Sequence, residues 1–309
     1  MADFSISKAI GSGFSLVLRR PGSAIAWSVA YLFVAIVPMA VMFGYLLSEM
    51  PSLITNLQHM DPQRGPSADM FRLQSRMIMA NPLMVVTGLA GRALLVGAIY
   101  RSVLEPDNRR FFSLRLSTQE LWLALSLFVY GVIVGFALLG AMMGGGILGG
   151  LAWLIGGLIP DPTAATLFRV VLIVGVVIAA IGVWAWVAIR LSLGPVMTFA
   201  EKEFRLHESW ALTKGHAWKM TGLGAILAVI AVGIGLILEC LVVAIIYSQL
   251  GGFDQAHLRA FFPQGQAPNV LPLLVALAPA LAIGFALVGP FFAILVAPLA
   301  SVYRDLRGR

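Results

Sequence analysis

The chain has 309 residues, 60% of them hydrophobic and 11% charged, with a mean hydropathy of +0.92. So little charge cannot solvate a globular surface of this size, which excludes a soluble domain and predicts an all-α polytopic membrane protein in one domain, residues 1–309. The net charge of +7 then points to lipid head groups rather than nucleic acid, and the single cysteine, Cys240, excludes an internal disulfide or a cysteine-built metal site.

From Asp3 to Arg20, Ile6, Ile10, Gly13, Phe14 and Val17 recur at helical spacing, with Ser5, Lys8, Ser12, Ser15 and Arg19 elsewhere on the wheel. This predicts an amphipathic helix lying in the membrane interface. Pro21 and Gly22 turn the chain into a first span, Ala24 to Leu47. That span is longer than a signal-peptide core, and no small-x-small site follows it in Ser48-Glu49-Met50-Pro51, so it is read as uncleaved. Glu49 to Asn81 reads as the main outer loop, with breakers at Pro51, Pro62, Gly65 and Pro66. A short helix, Ala68 to Ala80, follows, with Phe71, Gln74, Met77 and Ile78 on one face.

Span two is predicted over Pro82 to Tyr100 and contains Arg92; the connector Arg101 to Gln119 is basic, with Phe111 and Phe112 interleaved. Leu121 to Ile159 is uncharged throughout and as a single helix would be about 58 Å long, about twice the hydrocarbon thickness. A break is therefore expected at Gly144-Gly145-Gly146 and Gly149-Gly150, since glycine disfavours helix interiors. That leaves span three at Leu121 to Met143 and a short re-entrant or interfacial piece, Ile147 to Ile159, anchored by Trp153. Span four runs over Val170 to Ile189 and span five over Met220 to Tyr247, with Glu239 inside it. After a second outer loop, Gly251 to Asn269, span six carries Pro279, Pro290 and Pro298, each of which tends to kink a helix.

Basic residues stay cytoplasmic during insertion. With the N-terminus inside, the inner segments hold Lys8, Arg19, Arg20, Arg101, Arg109, Arg110, Arg115, Arg190, Lys202, Arg205, Lys214, Lys219, Arg304, Arg307 and Arg309. The outer ones hold only Arg64, Arg72, Arg76, Arg169 and Arg259, so both termini are expected in the cytoplasm. Trp27, Trp122, Trp184, Trp186, Trp210 and Trp218 also fall toward the inner interface, where indole rings anchor.

The spans end alike: Ala98-Ile99-Tyr100-Arg101 with Pro106 five residues on, Ala188-Ile189-Arg190 with Pro195 five residues on, and Ser301-Val302-Tyr303-Arg304. Glu120-Leu121-Trp122 and Glu208-Ser209-Trp210 extend the parallel. The pattern suggests three parallel repeats, 1–106, 107–200 and 201–309, each a cytoplasmic amphipathic segment followed by a helical hairpin. Separate origins for similar membrane exits are the alternative.

Phe204-Arg205-Leu206, Glu208-Ser209-Trp210, Leu212-Thr213-Lys214-Gly215 and Trp218 entering a span give the chain a further likeness. With the six-span layout, it resembles the membrane domain of some bacterial glycerophosphoryl diester phosphodiesterases and its stand-alone inner-membrane relatives. In those enzymes a separate soluble domain is catalytic. The resemblance therefore implies a membrane module of the bacterial inner membrane and carries over no catalytic residue and no cofactor.

Two ionisable residues lie within spans at matching depth, Arg92 and Glu239, and a lone charge in hydrocarbon is costly. They are expected to pair, either as a structural brace or as a proton or solute relay. Arg109, Arg110, Arg115, Lys202, Arg205, Lys214, Lys219, Trp210 and Trp218 are the expected cytoplasmic lipid-facing set. His59, Asp61, Asp254 and His257 lie in outer loops without a metal-ligand spacing signature, and Glu203 and His207 read as solvated surface. Small residues at four-residue spacing, Gly131 with Gly135, Gly145 with Gly149 and Ala231 with Gly235, permit close helix contact within the monomer or between protomers. No catalytic constellation is present in the sequence. It leaves two functional classes: a non-enzymatic scaffold or lipid-interacting module whose partners are anionic phospholipids, with a homo-oligomer or another membrane protein beside them, and a small permease for an amphiphilic solute.

Overall fold

The computed structural model describes residues 3–48, 68–107, 110–115, 117–250 and 270–308. They form helices and short turns, with no strand among the described residues. Six segments are long and apolar enough to cross a membrane: Pro21–Met42, Asn81–Leu104, Thr118–Gly156, Pro162–Glu201, Ala217–Gln249 and Leu277–Arg307. The chain is a multi-pass α-helical membrane protein, in which each span satisfies its own backbone groups where no water can.

The helices are α1 (Ile6–Arg19), α2 (Pro21–Tyr31), α3 (Val37–Ser48), α4 (Ala68–Leu104), α5 (Thr118–Gly156) and α6 (Pro162–Leu191). After them come α7 (Gly194–Glu201), α8 (Glu208–Leu212), α9 (Ala217–Leu250) and α10 (Val270–Arg307). A π-helical turn, Leu32–Ile36, joins α2 to α3. The chain divides into two compact units, one of residues 8–116 and 227–298, the other of residues 1–7, 117–226 and 299–309.

In the first of these units, α2 and its π-helical turn pack along α4. Gly91 sets the approach: a Cβ there would stand 2.6 Å from the Ala35 Cβ. Beyond it, Ala93, Leu94, Leu95, Val96, Ala98, Ile99 and Tyr100 are all buried. The buried Trp27 indole donates to the Phe112 carbonyl (2.8 Å), which fixes the connector after α4. Pro290 has no N–H, so the Ala286 carbonyl four residues earlier loses its helical donor. The Ser28 hydroxyl replaces it, donating to Ala286 O at 2.8 Å while accepting from the Gly289 N–H at 2.7 Å. Here the proline of span six marks a tertiary joint. Pro298 likewise frees the Ile294 carbonyl, and Gly13 approaches there so closely that a Cβ would lie 2.7 Å from that oxygen.

The N-terminal helix forms as expected; Ala9, Gly13 and Leu16 are buried, while Phe14 and Leu18 point outward. Packing of Gly13 on the α10 backbone, rather than hydrophobicity alone, selects that face. The short outer helix and span two are one continuous helix, α4, with Pro82 inside it. Losing one hydrogen bond at Pro82 costs less than a break that would leave several backbone groups unbonded in apolar surroundings.

In the other unit, α5 and α6 pair along their lengths. Ser117 and Glu120 form a capping box at the start of α5, and Asp161 caps α6 by accepting from Ala164 N–H (2.8 Å), with Pro162 in the first turn. The expected break in α5 is absent: Thr118–Gly156 is one helix of 39 residues that runs through all five glycines. Glycine's helix penalty is about 1 kcal/mol in water. Away from water, opening the helix instead strands N–H and C=O groups at several kcal/mol each. Ile147 to Gly156 is therefore the continuation of the same helix, not a separate piece. Of the small-residue pairs, Gly145 meets α6, a Cβ there standing 3.6 Å from Val176 Cγ1, whereas Gly131, Gly135, Gly149 and Gly235 have open space around them. The run Leu206 to Lys219 is divided. It yields the five-residue α8 and then a turn through Gly215, whose φ of +86° suits glycine, before α9 starts.

Candidate functional site

The densest polar structure is the connector from the end of α6 to the start of α9. Pro195 sits in the first turn of α7, a helix buried from Gly194 to Phe199. Gly194 allows this, since a Cβ would lie 2.3 Å from Leu206 Cδ1. Thr198 fixes the return of the chain: its hydroxyl donates to Ser126 Oγ (3.3 Å) and accepts from the Arg205 N–H (3.1 Å). Lys202 ends α7 in the left-handed conformation, φ +60°.

Three carboxylates then gather around the Arg205 guanidinium: Glu201 at 2.9 Å, Glu203 at 3.0 Å and Glu208 at 3.5 Å. The hydrogen bond to Glu203 foremost, then the charge of Glu201, holds Arg205 above its ordinary pKa. Glu201 also accepts from the Tyr303 hydroxyl (3.0 Å) and Arg307 Nη2 (2.6 Å), tying the end of α10 to α7. The charged groups are partly exposed, so water screens them and the network fixes geometry more than it adds stability.

Arg190 closes α6 on the other side of the connector. Its carbonyl accepts from Ser209 Oγ (2.9 Å) and Thr213 Oγ1 (3.4 Å), so α8 caps the helix end. Its guanidinium lies 4.8 Å from the Trp210 ring centre and 5.9 Å from that of Trp186. Those two indoles meet edge to face, 4.8 Å apart and at 87°. At the chain start, Asp3 pairs with Lys219 and lies 3.9 Å from His216, while Phe4 is buried beside the His216 ring. The hydrogen bond from Lys219 holds the Asp3 carboxyl below its ordinary value of 3.8.

The expected lipid-facing residues fall into distinct groups. Arg115, Lys202, Lys214 and Trp218 are exposed, Trp218 at 89%. Lys219 is exposed but paired with Asp3, Arg205 belongs to the glutamate network, and Trp210 is half-buried against Arg190. Arg110 opens a short 3-10 turn, Arg110–Ser113; Arg109, His59, Asp61, Asp254 and His257 lie outside the described residues. Glu203 pairs with Arg205 rather than with His207.

The structure does not bring Arg92 and Glu239 together. Both are exposed, and neither makes an ion pair or hydrogen bond among the described residues. Gly91 faces Ala35 and Tyr31, and Arg92, the next residue round the helix, falls off that seam.

Arg190 is not among the site residues that the sequence predicts. The signal was present, because Trp186 and Arg190 are four apart and so stack along one helix face. Arg169 makes a comparable contact, 4.3 Å over Trp153, in room left by Gly156. Two open grooves of about 360 Å³ are apolar: one between α5 and α6, with Met142, Gly145, Gly149, Val177 and Trp184 on its walls, the other between α9 and α10 at Val242, Ile246, Leu281 and Phe285. Comparison with family models, with curated proteins and with solved structures finds no match for the chain.

Proposed function

We propose that this protein is a non-enzymatic, lipid-interacting scaffold of the bacterial inner membrane, with both termini and its basic connectors on the cytoplasmic side. One observation carries the reading. Where the connector leaves the spans, its polar groups are either locked into bracing contacts, as at Glu201, Arg205, Tyr303 and Arg307, or left outward as cations and an indole, as at Lys202, Lys214 and Trp218. Bracing positions the connector, and the outward cations and ring suit a surface of anionic head groups, each cation being worth about 1 kcal/mol there. The three-repeat organisation and the kinship with the membrane domain of glycerophosphoryl diester phosphodiesterases belong to the same proposal, supported by the span-end patterns. The permease reading has less support, since both grooves are apolar and neither is lined by Arg92 or Glu239.

The test replaces Arg109, Arg110, Lys202 and Lys214 together with Gln and measures the lipids that co-purify. Acidic phospholipid should fall relative to zwitterionic lipid. Unchanged retention of acidic lipid would sink the proposal.

A further inference from the structure

Arg190 is 9% exposed, yet its guanidinium makes no hydrogen bond and no ion pair among the described residues. Its Nε is fully enclosed and unpartnered, whereas the two terminal nitrogens are neither enclosed nor bonded. An arginine this buried is ordinarily paired, because guanidinium keeps its charge at any accessible pH and its donors then go unmet. The other span ends show the contrast. Arg101, at the same position in its exit, is 2% exposed and donates to the Ser113 carbonyl at 2.5 Å, and Arg307 near the chain end donates to Glu201. At Arg190 the neighbours are Trp186 and Trp210, which hold the cation by their faces and leave its hydrogen-bonding edge free. Trp186 is half exposed, so the cradle is open at the end of the span.

We infer that Arg190, packed against Trp186 and Trp210, is a specific site for the phosphate of an anionic phospholipid. A planar guanidinium packed against two indoles keeps its two terminal nitrogens free to donate side by side, the geometry that matches a phosphate. The position supports the same ligand. The cradle lies where α6 ends, at head-group level if α6 spans the membrane, and interfacial tryptophans favour that level. The site deepens the lipid-interacting reading and rests on it for the choice of a lipid over a soluble anion. It differs from the exposed lysines in predicting one tight, saturable lipid rather than a diffuse preference.

The experiment titrates the full-length protein in neutral detergent with short-chain phosphatidylglycerol and, separately, phosphatidylcholine, counting bound lipids by native mass spectrometry. Wild type should bind one phosphatidylglycerol more tightly than the rest, and R190Q should weaken that first binding about tenfold or more while leaving phosphatidylcholine binding unchanged. R190K keeps the charge and loses the two-pronged donor, so it should weaken the first binding by several-fold; it decides the question if R190Q does not fold. Equal first-site affinity in wild type and a folded Arg190 variant would overturn the proposal. Displacement of the lipid by millimolar inorganic phosphate would overturn the assignment to a lipid and leave a soluble anion site. The quadruple Gln variant at Arg109, Arg110, Lys202 and Lys214 separates the two readings. Unchanged acidic-lipid retention in that variant with an intact Arg190-dependent site defeats only the diffuse contribution, and the reverse outcome, retention that depends on the connector with no effect of Arg190, defeats only the site.

Discussion

At Ser28 a single hydroxyl compensates for a missing backbone donor. Ser28→Ala strands the Ala286 carbonyl and diverts the Gly289 N–H, two buried groups, so a loss of about 1–3 kcal/mol is expected in thermal or denaturant melts. Gly289→Ala should be worse, because its Cβ would stand 2.1 Å from the Ala24 carbonyl, a backbone atom that cannot move aside. If Gly289→Ala melts like wild type, the α2–α10 joint is wrongly drawn. Arg92 and Glu239 lead to the opposite expectation. Each lies exposed in an apolar helix without a partner among the described residues, and removing a lone charge from such a setting is neutral or favourable. Arg92→Leu and Glu239→Leu should therefore each hold or raise the melting temperature in lipid. Strong destabilisation by either, relieved in the double variant, would mean the two charges pair after all. Asp3 has a depressed pKa in the fold, so its tether to Lys219 contributes above the ordinary carboxylate value of 3.8 and is lost as pH falls through the lower folded value. Hydrogen exchange at residues 4–7 should thus be flat from pH 7 to about 5, after correction for intrinsic rates, and should rise at neutral pH in Asp3→Asn. No change in Asp3→Asn would show that the tether does not hold the segment.

At the scale of elements, apolar length and charge placement made the six spans readable. What the sequence hid depends on surroundings. Pro82 and the glycines of α5 are breakers in water, but they sit inside helices here because an opened helix has nothing to bond in hydrocarbon. The face that α1 turns to the protein depends on contact with the α10 backbone, which requires Gly13 and leaves Phe14 outside. Arg190 went unread for a related reason. Its contact with two indoles exists only once α8 brings Trp210 alongside, although the Trp186 spacing points there. If α5 is continuous, Gly144→Ala and Gly150→Ala should each stabilise it by about 0.5–1 kcal/mol, since open space surrounds both positions. Destabilisation by either would restore the break.

For the whole molecule, the connectors and span ends carry the polar contacts, while the long apolar faces of α5, α6 and α9 remain outward, as a lipid-embedded protein requires. Orientation is the next inference from the basic asymmetry. With Cys240 replaced by Ser, cysteines placed at Asp161 should react with an impermeant thiol reagent from outside intact cells, and those at Pro106 and Arg205 only after lysis. Labelling of Pro106 from outside would invert the protein. The claim that organises all of this is selective contact with anionic lipid, and electron spin resonance of wild-type protein in mixed bilayers measures it without any mutation. Spin-labelled phosphatidylglycerol should show a larger motionally restricted fraction than spin-labelled phosphatidylcholine, with the difference shrinking in high salt as exposed cations are screened. Equal restricted fractions for the two lipids at low salt would contradict the account.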